Sequence, residues 1–330
     1  MLTLLFRRPS PTGFSIEKLF NGLYQHFLQN GVAVDRMEMP RTSCGLYSVL
    51  VNAWSVRQRA NRRVLHITGD VHYGALLTPM TKTVITIHDC VILQRGKGIK
   101  KFIFWLLWYR LPLSFANAIT VISEQTKREL LSVVRLPPHK VHYIPNYVSP
   151  QFRFSDRTFN TTLPRILHVG TRSNKNLPRV IHALQGLQVM LVIVGVLEDD
   201  QKTLLGQVGI RFENHATPAE PELISLYETA DLISFPSTYE GFGMPIIEGH
   251  AVGRPVLTSD MEPMRSVAGP GGAVLVDPLS VASIRDGFVR LLQDPALREA
   301  LVTAGRQNCS RYQLDVIADK YMALYRSLHG

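Results

Sequence analysis

The chain reads as an α/β protein: two Rossmann-like, doubly wound parallel-sheet domains facing a cleft. Three observations predict this. Short apolar runs of strand length alternate with helix-length stretches along nearly all of the 330 residues, the pattern of parallel sheets covered by helices on both faces. A polar segment bounded by Pro150 and Pro164 divides that alternation into two halves. The length suffices for two domains of ordinary size, and a hydrophobic content of 45% supports a sizeable core and argues against disorder.

In the first half, strands are predicted at Leu2–Phe6, Val64–Thr68, Thr83–His88, Ala118–Ile122 and Val141–Ile144. The opening LTLLF run is closed by Arg7, Arg8 and Pro9, too soon for a signal peptide, so it reads as the first strand. Helices are predicted at Glu17–Asn30, closed by Gly31, and at Glu124–Val134, where Ser123 is a good N-cap. Residues 1–150 form the expected first domain, 151–164 the linker and 165–312 the second domain. The second half alternates strand Arg165–Val169, helix Leu177–Leu187, strand Met190–Val194, a helix near Thr203 and strand Ile210–Phe212. It continues with helix Glu222–Thr229, strand Leu232–Phe235, helix Pro245–Val252 and strand Pro255–Thr258. A last helix spans 313–327.

Charge is divided unevenly. Residues 1–150 hold 19 Lys/Arg against 7 Asp/Glu, a net of +12; residues 151–330 hold 17 against 19, a net of −2, and the two sum to the +10 of the chain. A basic half attracts nucleic acid, anionic lipid or phosphorylated substrates. No nucleic-acid motif and no basic stripe interleaved with aromatics is present, so a membrane surface or a lipid-diphosphate acceptor is the better reading. Cys44, Cys90 and Cys309 are few, scattered and odd in number. They suggest neither disulfides nor a metal site and fit a reducing cytoplasm.

The most informative stretch is TYEGFGMPIIEGHAVGR, Thr238 to Arg254. It follows DLISFPS, a short apolar run suited to a buried parallel strand. The order is therefore strand, glycine turn, helix. Gly241 and Gly243, flanking Phe242, let backbone come close to a ligand, and Pro245 suits a first helical position. A helix start of this kind favours phosphate. Glu240 lies in the turn and Glu248 about one helical turn further on. One carboxylate can face a ligand near the phosphates and the other can accept from hydroxyls beyond, a plausible seat for a nucleotide sugar. A second stretch, LHVGTRSNKNLPRVIHAL from Leu167 to Leu184, ends a strand at Gly170 and places Lys175 just before a helix. Two cations, Arg172 and Lys175, with a helix start would offset the charge that builds on a departing diphosphate.

These two stretches together resemble the signature of the retaining family 4 glycosyltransferases, whose fold is GT-B. The resemblance covers nearly the whole chain and is most specific over residues 165–280. It implies transfer of a sugar from a nucleotide-sugar donor to a glycan or lipid-linked acceptor, with retention of anomeric configuration. The implied context is polysaccharide or lipopolysaccharide assembly at the inner face of a membrane. It implies that Lys175 and the backbone of Gly243 hold the donor diphosphate, that Glu240 orients sugar hydroxyls and that Glu248 binds ribose. Many members carry an arginine directly after the strand-ending glycine, where this chain has Thr171, which leaves the donor role of Arg172 less secure. The resemblance also implies that the last helix crosses back to the first domain.

Further residues follow from the same comparison. Gly13, after the first strand, would let its loop approach the donor phosphates; alternatively Ser15 and Glu17 behind it simply start a helix. His88, at a strand end beside Asp89, matches a histidine that hydrogen-bonds the donor sugar or its phosphate; the alternative is a strand-end histidine bonded to backbone. His66, Asp70 and His72 could line the acceptor pocket or bind metal, and acceptor contacts are favoured. Thr217 matches a loop that reads the nucleobase through backbone, or is a plain connection. The segment Arg95–Phe115 could lie on an anionic membrane with Lys97, Lys100 and Lys101 at the headgroups, or form a buried helix. No Asp-x-Asp motif is present, so no essential metal and no cofactor is expected, and Glu198–Asp200 could start a helix. GDP-mannose is the first candidate donor, ahead of UDP- and dTDP-sugars. Two other readings stay open: another GT-B enzyme such as a nucleotide-sugar epimerase, and a catalytically silent sugar-nucleotide-binding protein.

Overall fold

The computed structural model describes residues 2–8, 15–42, 45–59, 64–78, 81–90 and 98–328. The chain divides into two compact units, Met1–Tyr147 with Leu314–Gly330, and Val148–Gln313. Each is built on a six-stranded sheet whose strand pairs are all parallel.

In the first unit the strands are β1 (Leu2–Phe6), β2 (Val34–Glu38), β3 (Val64–Ile67), β4 (Thr83–Ile87), β5 (Ala118–Val121) and β6 (Val141–Tyr143). Their order across the sheet is β2-β1-β3-β4-β5-β6. Every residue of β1, β3, β4 and β5 is buried, which is why these strands read as continuous apolar runs. The edge strand β2 (VDRME) exposes or half-exposes three of its five residues, and no apolar run announces it. The helix α1 (Ser15–Gln29) and the chain's last helix, Leu314–Ser327, pack on this sheet. The Phe20 and Tyr321 rings meet edge-on at 5.9 Å, as do Phe27 and Tyr325 at 6.3 Å.

A second helix, α2 (Leu46–Arg59), was not expected from its sequence. Its periodicity is inverted in part, since Tyr47, Leu50 and Trp54 are each more than half exposed. The segment that could have been membrane-surface or core is exposed in its first part and buried in its second. Residues 91–97, including Arg95 and Lys97, lie outside the described residues, as does the side chain of Lys100. Ile99–Phe104 is helical and exposes Ile99, Phe102 and Ile103. Trp105–Arg110 then widens into a π-helical turn and Leu111–Phe115 resumes the α-helix, burying Trp108, Tyr109 and Leu113. Pro112 would clash with the carbonyl four residues before it in a regular helix, and the wider turn relieves that clash. Among the described residues, no helix is long and apolar enough to cross a membrane.

In the second unit the strands are β7 (Arg165–Val169), β8 (Met190–Val194), β9 (Arg211–His215), β10 (Leu232–Phe235), β11 (Val256–Ser259) and β12 (Val274–Val276). Their order, β12-β11-β10-β7-β8-β9, is the six-strand dinucleotide-binding order, with its reversal between β7 and β10. The helix α3 (Leu177–Leu184) buries Leu177, Val180, Ile181 and Leu184 at helical spacing. The acidic run opens a helix at Asp199–Val208, where Glu198 and Gln201 form a capping box. Residues 148–164 contain no helix or strand and are pinned to this unit by Asp231. That buried carboxylate accepts from Arg157 Nε at 3.1 Å and from the backbone N–H groups of Asn160 and Arg165.

Candidate functional site

In a doubly wound sheet, ligands bind beyond the carboxyl ends of the strands where the strand order reverses. In the second unit that point lies between β7 and β10. The two loops leaving it are Gly170–Lys175 and Pro236–Gly243, the same two stretches singled out in the sequence.

The β7 turn is held in an unusual shape. Gly170 has φ +102°, and a Cβ there would lie 2.7 Å from the Lys175 side chain. After a short 3-10 turn at Ser173–Lys175, Asn176 adopts a left-handed conformation with φ 66°. Its buried amide donates to the carbonyls of Pro236 at 2.9 Å and Pro278 at 2.7 Å. The β7 turn is thereby tied to the loop after β10 and the loop after β12. Asn174 reinforces the first tie: its carbonyl accepts from Thr238 N–H at 2.8 Å and its amide donates to the Tyr239 carbonyl at 2.9 Å.

These ties bring Lys175 to Glu240. Lys175 Nζ donates to Glu240 Oε1 at 2.7 Å, and Asn174 Nδ2 donates to the same oxygen at 3.2 Å. The ammonium also sits 4.8 Å from the centre of the Phe235 ring. Both side chains are partly buried, 21% and 14% exposed, so their charges are less screened than those of a surface pair. Immediately after Glu240 the chain turns at Gly243, φ +120°, and enters the helix α4 (Met244–Val252) with Pro245 in its first turn. The first N–H groups of that helix have no partner within it, which makes its start a seat for an anion. Glu248, one turn on, accepts from the buried hydroxyl of Tyr227 at 2.5 Å. Burial, with Glu248 beside it, pushes the Tyr227 phenol well above the usual tyrosine range, so it stays a donor at any physiological pH.

The other expected donor residues fall around this pair in different ways. The Thr171 hydroxyl donates to the Val196 carbonyl at 2.6 Å and its own carbonyl accepts from Gln201, so Thr171 ties the turn to the loop after β8. Arg172 is exposed beside it. Gly241 is half-buried in the turn. The Phe242 ring is not turned to a ligand; it is 3% exposed and packs edge-on against Tyr312 at 5.7 Å. Thr217 is exposed beyond β9. β9 runs further than expected, through His215, whose Nδ1 lies 2.7 Å from Glu222 Oε1.

Three residues of this site escaped the sequence reading. Tyr227 and Asn176 act through partners brought close only by the strand order. The third, His168, lies in β7 and is fully buried, with Nδ1 3.3 Å from the Ser234 hydroxyl. Burial, helped by nearby Lys175, holds its imidazole down to about 4. The one sequence signal was Asn following Lys175, since Asn tolerates the left-handed region better than other non-glycine residues.

In the first unit the strand order reverses between β1 and β3. Gly13 lies outside the described residues. Arg7, after β1, pairs with Glu17 and donates to Asp70 Oδ2 at 3.2 Å. His88, after β4, is 7% exposed, with Nε2 2.8 Å from the Thr68 carbonyl; burial lowers its imidazole below the usual range. His66, Asp70 and His72 do not form one pocket. His66 is a core residue with Nδ1 2.6 Å from the Tyr325 hydroxyl and Nε2 2.7 Å from the Thr86 hydroxyl, so both ring nitrogens are used internally. His72 is 3% exposed and faces the Trp108 carbonyl at 3.0 Å. Of the three, only the Asp70 side chain reaches solvent, at 47% exposure. A histidine at a strand's end and one within it carry the same letter in sequence, which is why the cluster misled. Among the described residues, no group of three or more His, Cys, Asp or Glu is placed to hold a metal ion.

Comparison with known proteins points the same way as this geometry. The family model described as Glycosyl transferases group 1 matches residues 151–308, and that described as Glycosyltransferase Family 4 matches residues 23–152. A phosphatidyl-myo-inositol mannosyltransferase of Mycobacterium tuberculosis is 34% identical over 165 residues, covering 47% of this chain and 42% of its own. The O-antigen chain mannosyltransferase B of Escherichia coli is 25% identical, covering 66% of this chain and 62% of its own. The chain spans about half the length of the curated relatives it matches. Among solved structures, Anabaena HepE in complex with UDP and glucose superposes with a TM-score of 0.79 at 15% identity, covering 98% of this chain and 99% of its own.

Proposed function

The chain belongs to the family 4-type glycosyltransferases of GT-B fold, and we propose that it moves a sugar from a nucleotide-sugar donor to a glycan or lipid-linked acceptor with retention of configuration. The observation that carries this reading is the Lys175–Glu240 pair at the strand-order reversal of the second sheet, beside a glycine-started helix. Lys175 and the helix N–H groups after Gly243 bind the donor diphosphate. Glu240 orients the sugar hydroxyls. Glu248, held by Tyr227, accepts from the ribose hydroxyls.

The step balances without a further reactant. The bond from the anomeric carbon to the diphosphate oxygen breaks, and a bond to the acceptor oxygen forms on the same face. The acceptor proton passes to the departing diphosphate. Charge on that leaving group is met by Lys175 and the helix start rather than by a metal. The names of the curated relatives favour mannose, so GDP-mannose is the first donor to test. The UDP of the solved neighbour makes UDP-sugars the second.

The acceptor is read as a lipid-linked or polysaccharide glycan met at an anionic membrane face. Support comes from the +12 net charge of residues 1–150 and from the exposed apolar side chains of α2 and of Ile99, Phe102 and Ile103 beside Lys101. The test is release of nucleoside diphosphate from a panel of nucleotide sugars with and without lipid-linked glycan extract. Acceptor-dependent release that vanishes in Glu240→Ala supports transfer. Donor conversion with no acceptor points to an epimerase, and binding without turnover points to a silent binding protein.

A further inference from the structure

Asn174 grips three consecutive residues of the loop after β10. Its backbone carbonyl accepts from the Thr238 N–H at 2.8 Å. Its side-chain amide donates to the Tyr239 carbonyl at 2.9 Å and to Glu240 Oε1 at 3.2 Å. Both side-chain partners are acceptors, so the amide nitrogen and not its oxygen faces them. The short 3-10 turn at Ser173–Lys175 sets Asn174 and Lys175 side by side, and both reach the same carboxylate oxygen.

Glu240 is therefore held through one oxygen. Oε1 takes the Lys175 ammonium and the Asn174 amide, while Oε2 accepts from no protein group among the described residues. The two holds differ in kind. Lys175 is a point charge on a flexible stem, and a diphosphate competes for it. Asn174 is short, braced by Thr238 and Tyr239, and carries no charge for a phosphate to draw away. Once the ammonium turns to the diphosphate, Asn174 is the hold that stays on Glu240. Being neutral, it also leaves the carboxylate its full charge, so Oε2 remains a strong acceptor for hydroxyls.

We propose that Asn174 is a positioning residue, which keeps Glu240 Oε2 aimed at the donor sugar while Lys175 is engaged by the diphosphate. This role rests on the donor-site reading in which Glu240 orients sugar hydroxyls. The test separates sugar from phosphate. Affinities of GDP and GDP-mannose, and of UDP and UDP-glucose, are measured by calorimetry for the wild-type protein, Asn174→Ala, Glu240→Ala and the double variant. The quantity read is the ratio of nucleotide-sugar to nucleoside diphosphate affinity. Asn174→Ala is expected to lower that ratio about tenfold, the worth of one hydrogen bond to a charged group, with nucleoside diphosphate affinity unchanged. In the Glu240→Ala background the same substitution is expected to change the ratio no further, because the two residues act as one unit. Asn174→Asp keeps the volume and removes the donor, so it is expected to lower the ratio as well. A plain tie between loops would instead weaken nucleoside diphosphate and nucleotide sugar alike, in both backgrounds. An unchanged ratio in Asn174→Ala or Asn174→Asp, or a loss that persists in the Glu240→Ala background, overturns the role of Asn174 and leaves the donor site standing. Failure of the wild-type protein to bind either pair overturns both.

Discussion

Lys175 and Glu240, paired at 2.7 Å, are the residues to which the proposed chemistry is assigned. An ammonium has three donors, so Lys175 can keep one on Glu240 and offer others to a departing diphosphate. Lys175→Ala is expected to lower transfer by about 10²–10³, the usual cost of removing one donor to developing charge, without loss of the folded circular-dichroism spectrum. Glu248→Ala should instead weaken nucleotide affinity with turnover at saturation little changed. Tyr227→Phe should reproduce that loss in part, by about tenfold, as one hydrogen bond to a charged group is removed. An unchanged dissociation constant in both variants would take them out of the ribose site. Glu240, Lys175 and Glu248 could be singled out in the sequence because each stands at a fixed spacing from a glycine or a helix start. Tyr227 could not, because its partner lies 21 positions away and the two meet only once β10 sits between their helices.

Asn176 shows how an element's boundary serves a site. It starts a helix from the left-handed region and fastens three loops through one buried amide. Asn176→Gly keeps the backbone conformation and loses the ties, whereas Asn176→Ala loses both. The alanine variant should therefore be the less stable, by about 1 kcal/mol in denaturant unfolding, the order of the left-handed penalty for a residue with a Cβ. Both should raise the donor KM more than they lower kcat, and equal stability of the two would contradict the assignment. Interior strands were legible as apolar runs because both their faces are covered. The edge strand β2 and the helix α2 were not, since one is half solvated and the other turns Tyr47, Leu50 and Trp54 outward.

At the scale of the whole molecule, the strand orders decide where chemistry can occur, and no local pattern in the sequence encodes them. The two motif stretches could be placed on strands and helices, but only the reversal between β7 and β10 shows why those two loops meet. Burial gives the fold a common pH dependence. His66 is held down to about 3 and His168 and His250 to about 4, far below the value near 6.5 of an unfolded histidine. Between those values the unfolded chain binds more protons, so stability is full above about pH 6.5 and is lost as the pH falls toward 4. A melting temperature that stays level from pH 7 to about 4.5 would contradict this reading of the buried histidines. Transfer should also survive a chelator, and activity lost to chelation and restored by a divalent ion would refute neutralisation by Lys175 and the helix start. The most direct test of the central claim is calorimetric binding of GDP, UDP and dTDP to the wild-type protein and to Lys175→Ala. The account predicts saturable binding of one nucleoside diphosphate, weakened at least about tenfold in the variant. Absence of binding by all three, or equal affinity in the two proteins, would contradict a donor site built on Lys175.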